Sequence, residues 1–246
     1  MLSDLISEMY RLEETYWWHV AKRRMVFSSL TPYLKSRKGV LQFVDVGCGT
    51  GMMLTELSSY GNATGIDGSA QALIFCKKRG LDDVVMADLA HTWPLRTGMA
   101  DVVTMLDVLE HLDSDAFALR EVHRVLKPGG LFVLTVPAYP ALWTYWDEAL
   151  GHKRRYRRTR LVEKLHRTGF VVVRRSYFYT YLLPLAIFFR LAKTLLGHRA
   201  RTHSDFVGLP PLMNRILLIL STVETEIVKR ASLPAGLSII CVCKKV

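Results

Sequence analysis

The residues of this chain best placed to do chemistry lie in Val44-Asp45-Val46-Gly47-Cys48-Gly49-Thr50-Gly51, where a short apolar run gives way to a helical pattern. Glycines at such a turn let the backbone take positive φ and come close to a ligand, and the helix that follows offers unpaired N–H donors at its amino terminus. The dinucleotide fingerprint would need a third glycine at position 52, where Met52 stands. Asp45 argues the same way, since a carboxylate beside the turn would repel a pyrophosphate but attract a ligand carrying positive charge.

Three further acids follow at the ends of strand-like segments: Asp67 with Gly68, Asp88 with Leu89, and Asp107 after Leu106 in Leu106-Asp107-Val108-Leu109-Glu110-His111. Asp67 stands twenty residues past Gly47, the position from which a carboxylate accepts both ribose hydroxyls. Asp88 could accept from an adenine amino group. Any one of them could equally be an N-cap or turn aspartate. Four in register are harder to dismiss, and Asp45 suits a ligand carrying an ammonium and a sulfonium.

Holding these residues in register requires alternating strands and helices. The pattern predicts strands over Leu41 to Val46, Ala63 to Ile66, Val84 to Met86, Val102 to Leu106 and Leu131 to Val136, with helices over Met52 to Ser59, Ala70 to Arg79 and Asp115 to Leu126. Lys127-Pro128-Gly129-Gly130 is expected to stop the last helix. Phe170 to Val173 and Leu237 to Cys243 complete the strands. Such alternation implies a parallel sheet covered on both faces, with ligands beyond the carboxyl ends of the strands.

The glycine turn and the acids resemble the class I S-adenosylmethionine-dependent methyltransferases, whose first motif is similar to Asp45 to Gly51 and whose later signature is similar to Lys127 to Gly130. The resemblance covers Val40 to about Pro137. It implies a Rossmann-like, doubly wound, mostly parallel seven-stranded sheet with an antiparallel last strand and a helical insert before it. It implies S-adenosyl-L-methionine as cofactor, with S-adenosyl-L-homocysteine as product. Gly47, Cys48, Gly49 and Gly51 would then carry the methionine part, Asp67 and Gly68 the ribose, and Asp88 and Leu89 the adenine, while Leu106, Asp107 and His111 would border the sulfonium. The opening Tyr16-Trp17-Trp18-His19 and the later Gly151-His152-Lys153-Arg154-Arg155-Tyr156 also look like a bacterial branch of the class.

A methyl acceptor needs its own wall. The loop after the fifth strand offers Tyr139, Trp143, Arg154, Arg155 and Tyr156, aromatics to cover a planar or apolar group and guanidinium forks for an anion. Trp17, Trp18 and Arg24 would close the other side, Arg24 next to the cofactor. His111 and His152 are the candidates for activating a hydroxyl or an ammonium. The fourth strand's end lacks the Asn/Asp-Pro-Pro-aromatic run of enzymes that methylate base amino groups and the cysteine of the pyrimidine C5 route.

The domain reading that follows is a helical lid over 1–38, a cofactor-binding core over 39–176 and 235–246, and a helical insert over 177–234. The insert holds two apolar runs, Tyr177 to Phe189 and Leu212 to Leu220, each shorter than the roughly twenty residues a bilayer crossing needs. A lid, a peripheral membrane contact through 177–220 and extra core are its three readings.

With 246 residues, half of them hydrophobic, one substantial core is expected. Four cysteines without paired spacing fit a reducing cytoplasm and no structural zinc, and no metal is expected. The start of the chain carries Asp4 and Glu8 and does not read as a signal peptide. The net charge of +11 is concentrated: residues 151–175 hold ten Lys or Arg against Glu163, 10 − 1 = +9. That stretch keeps RNA methylation open as a second function, although nucleic acid is disfavoured as a partner. A glycine turn followed by acids would also serve a nicotinamide-dependent oxidoreductase, or a protein that binds the nucleoside without catalysis. The leading expectation is transfer of a methyl group to a small apolar or anionic acceptor by in-line displacement.

Overall fold

The computed structural model describes residues 2–35, 37–188 and 209–246. Two helices, α1 (Leu2–Leu12) and α2 (Trp17–Leu34), precede the alternating part. There follow β1 (Leu41–Val46), α3 (Met52–Ser58), β2 (Gly61–Asp67), α4 (Ala70–Lys78), β3 (Val84–Met86), β4 (Ala100–Leu106), α5 (Asp115–Val125) and β5 (Leu126–Pro137). Then come α6 (Tyr145–Ala149), α7 (Arg158–Arg167), β6 (Phe170–Phe178), α8 (Pro211–Arg230) and β7 (Ser238–Lys245).

The seven strands form one sheet in the order β3-β2-β1-β4-β5-β7-β6. The first five are parallel, and β7 runs antiparallel to both β5 and β6. Because strand side chains alternate faces, neighbouring residues feed opposite cores. Val103, Phe132, Leu134, Cys241 and Cys243 pack on the α5 and α7 side, whereas Val102, Leu131, Val133, Ile240 and Val242 pack on the side of α2 and α8. The near-continuous apolar strands follow from burial on both faces. All four cysteines are buried as free thiols.

Three expectations change in detail. The predicted strand at Phe170 extends through Phe178, so Tyr177 and Phe178 are buried sheet residues and the insert starts later than 177. Lys127 to Gly130 forms the first part of β5 instead of a separating turn; Ser114 caps the α5 amino terminus and Leu126 passes straight into the sheet. Part of the insert, 189–208, lies outside the described residues.

In α8 the usual polarity is inverted. Its inward stripe is Ser221, Glu224, Thr225 and Val228, while Leu212, Ile216, Ile219, Val223 and Ile227 are exposed. The inward acid holds a bend in the backbone, since the Glu224 carboxylate accepts from Tyr179 N and Thr180 N, each at 2.7 Å, and Tyr179 sits in left-handed backbone at φ 58. No helix among the described residues is long and apolar enough to cross a membrane.

Candidate active site

Parallel register delivers the acids to one sheet edge. Asp45 lies beside Gly65 on one side and Thr104 on the other, and the Thr104 hydroxyl donates to Asp45 Oδ1 at 2.6 Å. Burial, with Glu13 and Asp67 nearby, pushes the Asp45 carboxyl up to about 7. Asp67 accepts from Gly49 N at 2.9 Å and from Ser69 N at 2.8 Å, so it shapes the glycine loop as well as facing the cavity. At Gly47 φ is +68, and a Cβ would overlap the Val108 side chain, which explains why only glycine fits there.

Above this loop lies a cavity of about 440 Å³, lined by Asp45, Gly47, Cys48, Gly49, Asp67, Gly68, Leu89, Leu106, Asp107 and His111 among others. That volume is within the range of small-molecule sites, about 300–1,000 Å³. Ten of the thirteen residues expected at the cofactor thus meet in one space, and a cradle of positive-φ glycines under three carboxylates fits a cationic nucleoside.

The other three stand elsewhere. Gly51 is the α3 N-cap, at φ +92. Asp88 does not line the cavity: its carboxylate accepts from Ala90 N at 2.9 Å and pairs with His91, the work of an exposed turn aspartate. Arg24 is exposed and donates to Thr222 on α8. Its neighbours Lys22 and Arg23 line the cavity, together with Met9, Glu13 and His19. The signal for these was the helical spacing from the aromatic knot, since Trp18 to Lys22 and His19 to Arg23 are i,i+4 pairs on α2.

A second cavity of about 540 Å³ shares Met9, His19, Lys22, Asp107 and His111 with the first. Trp17, Trp18, Trp146, Leu142 and Leu150 give it apolar walls, and Glu110, Asp147, His152 and Arg155 are among its polar members. Trp18 stacks on Tyr179 at 4.1 Å, which fixes its plane. Of the six residues expected at the acceptor, Trp18 and Arg155 line this space. Tyr139 stacks on Tyr177 at 5.2 Å in the sheet-side core, and Tyr156 is buried with its hydroxyl on Leu109 O. Trp143 turns to Glu148, and Arg154 pairs with Asp115. The loop after β5 does reach the acceptor side, but through α6, whose Trp146 and Asp147 point inward.

Charges at this junction are paired. Lys22 is ion-paired with Asp107, and the Thr135 hydroxyl donates to Asp107 Oδ1 at 2.7 Å. Burial would raise the Asp107 carboxyl, but the Lys22 ammonium outweighs it and holds the group below its ordinary range. His19 is driven down to about 3 by burial and by Lys22 and Arg23, so its ring is neutral. Asp147 is fully buried; it accepts from Arg155 Nε at 2.7 Å and its Oδ1 lies 2.9 Å from His152 Nδ1.

Comparison with known proteins agrees with this geometry. Residues 44–134 match the methyltransferase domain family. The chain is 32% identical over 139 residues to a ubiquinone biosynthesis O-methyltransferase of Marinobacter nauticus, covering 50% of this chain and 58% of that protein. It is 29% identical over 145 residues to one of Pseudomonas aeruginosa, covering 52% and 61%. The chain therefore spans about three fifths of the length of the curated relatives it matches. Among solved structures, a phosphoethanolamine N-methyltransferase 2 of Haemonchus contortus aligns at TM-score 0.62 and 14% identity, covering 100% of this chain and 58% of that one. An S-adenosylmethionine-dependent methyltransferase of Archaeoglobus fulgidus aligns at 0.57 and 21%, covering 91% and 94%. The sheet order and glycine cradle define a Rossmann-like nucleoside-binding protein. Within that class, residues 44–134 carry the match to the methyltransferase domain family, and the solved methyltransferases share the fold.

Proposed function

We propose that this chain moves the methyl group of S-adenosylmethionine to a hydroxyl oxygen on an apolar, ring-containing acceptor presented near a membrane surface. The observation that carries the reading is the common wall: Asp107 and His111 line both cavities, so a methyl held in the first faces an acceptor held in the second. The cofactor's sulfonium supplies an electrophilic methyl and a neutral thioether leaving group. The protein's part is alignment and exclusion of water. Trp17, Trp18 and Trp146 suit a planar apolar body, and His111 and His152 stand where its hydroxyl must be activated. An oxygen acceptor is supported by the name O-methyltransferase that the curated relatives bear.

An anionic acceptor has less support, since Arg155 is committed to Asp147 and Arg154 to Asp115. Part of the basic stretch is engaged within the fold: Lys153 pairs with Asp113, Lys164 with Asp115, and Arg160 and Arg167 with Glu163. That weakens the RNA reading. The spacing at Met52 and the carboxylate of Asp45 weaken the nicotinamide one. α1 and α2 act as the lid through Met9, Glu13, His19, Lys22 and Arg23, and the exposed apolar stripe of α8 is the membrane-facing element.

The test pairs binding with turnover. S-adenosylhomocysteine is expected to raise the melting temperature while NADH leaves it unchanged, and labelled S-adenosylmethionine is expected to methylate a hydroxylated aromatic ring bearing an alkyl or prenyl tail. Transfer to RNA alone, or no association with either nucleoside, overturns the reading.

A further inference from the structure

The short turn after β4 places Glu110 and His111 side by side, and the bend at Gly151, φ +73, brings His152 against them. One ligand atom from each of the three side chains lies within 4.8 Å of the others, and the two imidazoles meet edge to face at 4.8 Å between centroids. Neither oxygen of Glu110 has a hydrogen-bond partner, and its side chain is completely buried. Leaving a buried carboxyl group so placed without a partner is costly. The two cations near it are committed elsewhere, Lys22 to Asp107 and Arg155 to Asp147.

Both imidazoles are anchored on one nitrogen only. Asp147 Oδ1 takes Nδ1 of His152 at 2.9 Å and is itself held by Arg155, while Asp147 Oδ2 accepts from Thr144 N. His111 is oriented by the backbone at Gly151. A carboxylate or carbonyl on the far nitrogen is how proteins orient histidines whose near nitrogen binds a metal. All three groups face the second cavity, and His111 also borders the first.

We propose that Glu110, His111 and His152 bind one divalent cation of borderline softness, of the zinc or cobalt kind, and leave at least one coordination position open toward the acceptor. Two imidazoles and one carboxylate suit such ions better than magnesium or calcium, which prefer all-oxygen sets. Three protein ligands with an open position is the arrangement of a catalytic site, in contrast to a closed structural one. The role given to the ion rests on the methyl-transfer reading above. There it would hold the acceptor oxygen as its anion: the hydroxyl proton leaves to solvent, and the electron pair left on oxygen forms the bond to the methyl carbon as the carbon–sulfur bond breaks. This departs from the expectation of no metal, because ligands at 110, 111 and 152 form no recognisable spacing along the chain.

The whole chain, stripped with a chelator, is titrated with Co²⁺ and followed by its visible absorption, with S-adenosylhomocysteine binding as the control for folding. One equivalent is expected to bind, and Glu110→Gln and His152→Ala are each expected to weaken binding at least tenfold while nucleoside binding stays within about twofold. No cobalt spectrum in the unaltered chain, or equal affinity in both variants, overturns the site. Methyl transfer at full rate in excess chelator overturns the role given to the ion. A cobalt site in a chain that does not bind S-adenosylhomocysteine leaves the cation proposal standing and removes the proposed function, so the two fail separately.

Discussion

Lys22 of α2 is ion-paired with Asp107, the residue that ends β4 in left-handed backbone at φ 54 and lines both cavities. The pair ties the amino-terminal helices to the strand edge at the point where the two spaces meet. Lys22 also lies over the Trp18 ring, 5.6 Å from its centroid, so one ammonium holds an acid shared by both cavities and an aromatic wall of the second. Lys22→Met keeps the stem and removes the charge. It is expected to cost about 1.5–3 kcal/mol in chemical denaturation, the range for a hydrogen bond to a charged group, and to raise the acceptor KM. An unchanged denaturation midpoint would show that the helices are held by packing alone.

Asp45 is expected to make nucleoside affinity pH-dependent. Its carboxyl, ordinarily near 3.8, stands at about 7 in the fold, chiefly through burial. Between roughly pH 4 and 7 the folded chain therefore holds a proton that the unfolded chain has lost. The difference in bound protons, unfolded minus folded, is negative, so the contribution of Asp45 to stability falls as pH rises through that window and levels off above it. A bound ammonium favours the ionised carboxylate, so S-adenosylhomocysteine binding at pH 6 should expel a proton and tighten toward pH 8. Calorimetry in buffers of different ionisation enthalpy reads this directly, and Asp45→Asn should abolish the proton release. The same release in that variant would assign it to Glu13, whose carboxyl is also raised by burial.

Asp67 has two roles that can be separated. Asp67→Ala removes the acceptor proposed for ribose and also the bonds from Gly49 N and Ser69 N. At about 1.5–3 kcal/mol for a hydrogen bond to a charged group, roughly a 10- to 100-fold loss of S-adenosylhomocysteine affinity is expected. Asp67→Asn, which keeps one acceptor oxygen for the loop, should lose less affinity and unfold closer to the unaltered chain. Affinity untouched by Asp67→Ala would remove this residue from the site.

What the sequence revealed and what it hid divide along physical lines. Strand positions, the glycine cradle and the strand-terminal acids Asp45, Asp67 and Asp107 were legible because each depends on local spacing: a period-2 run, a turn that tolerates only glycine, an acid at the strand's end. Asp88 shows the weakness of that signal, since a strand-terminal aspartate that caps a turn looks identical in sequence to one that faces a ligand. Glu110 and Asp147 were missed because their significance is tertiary. A buried acid reads like an exposed one until its partners are known, and Asp147 meets Arg155 and His152 only through the fold of the loop after β5. Tyr139 and Tyr156 went the other way, expected at the acceptor and found in the core, because an aromatic serves both with the same spacing.

The inverted α8 carries the last prediction. Leu212, Ile216, Ile219, Val223 and Ile227 recur every three or four residues along one exposed stripe of a twenty-residue helix. Neighbouring Arg215 and, at the carboxyl end, Arg230 supply positive charge, while Lys229 is paired with Glu226. An apolar stripe flanked by cations is suited to the headgroup boundary of an anionic bilayer, where apolar burial and charge attraction add. Leu212→Ser with Ile216→Ser should therefore weaken sedimentation with phosphatidylglycerol-containing vesicles at least tenfold, at roughly 1 kcal/mol for each partly buried side chain. Both positions are already in water, so the melting temperature should hardly move. Salt should weaken binding in the unaltered chain, and vesicles of neutral lipid should bind it less. Equal sedimentation of the double variant would place the lipid contact elsewhere, and no sedimentation of the unaltered chain with any vesicle would leave the stripe to a protein partner.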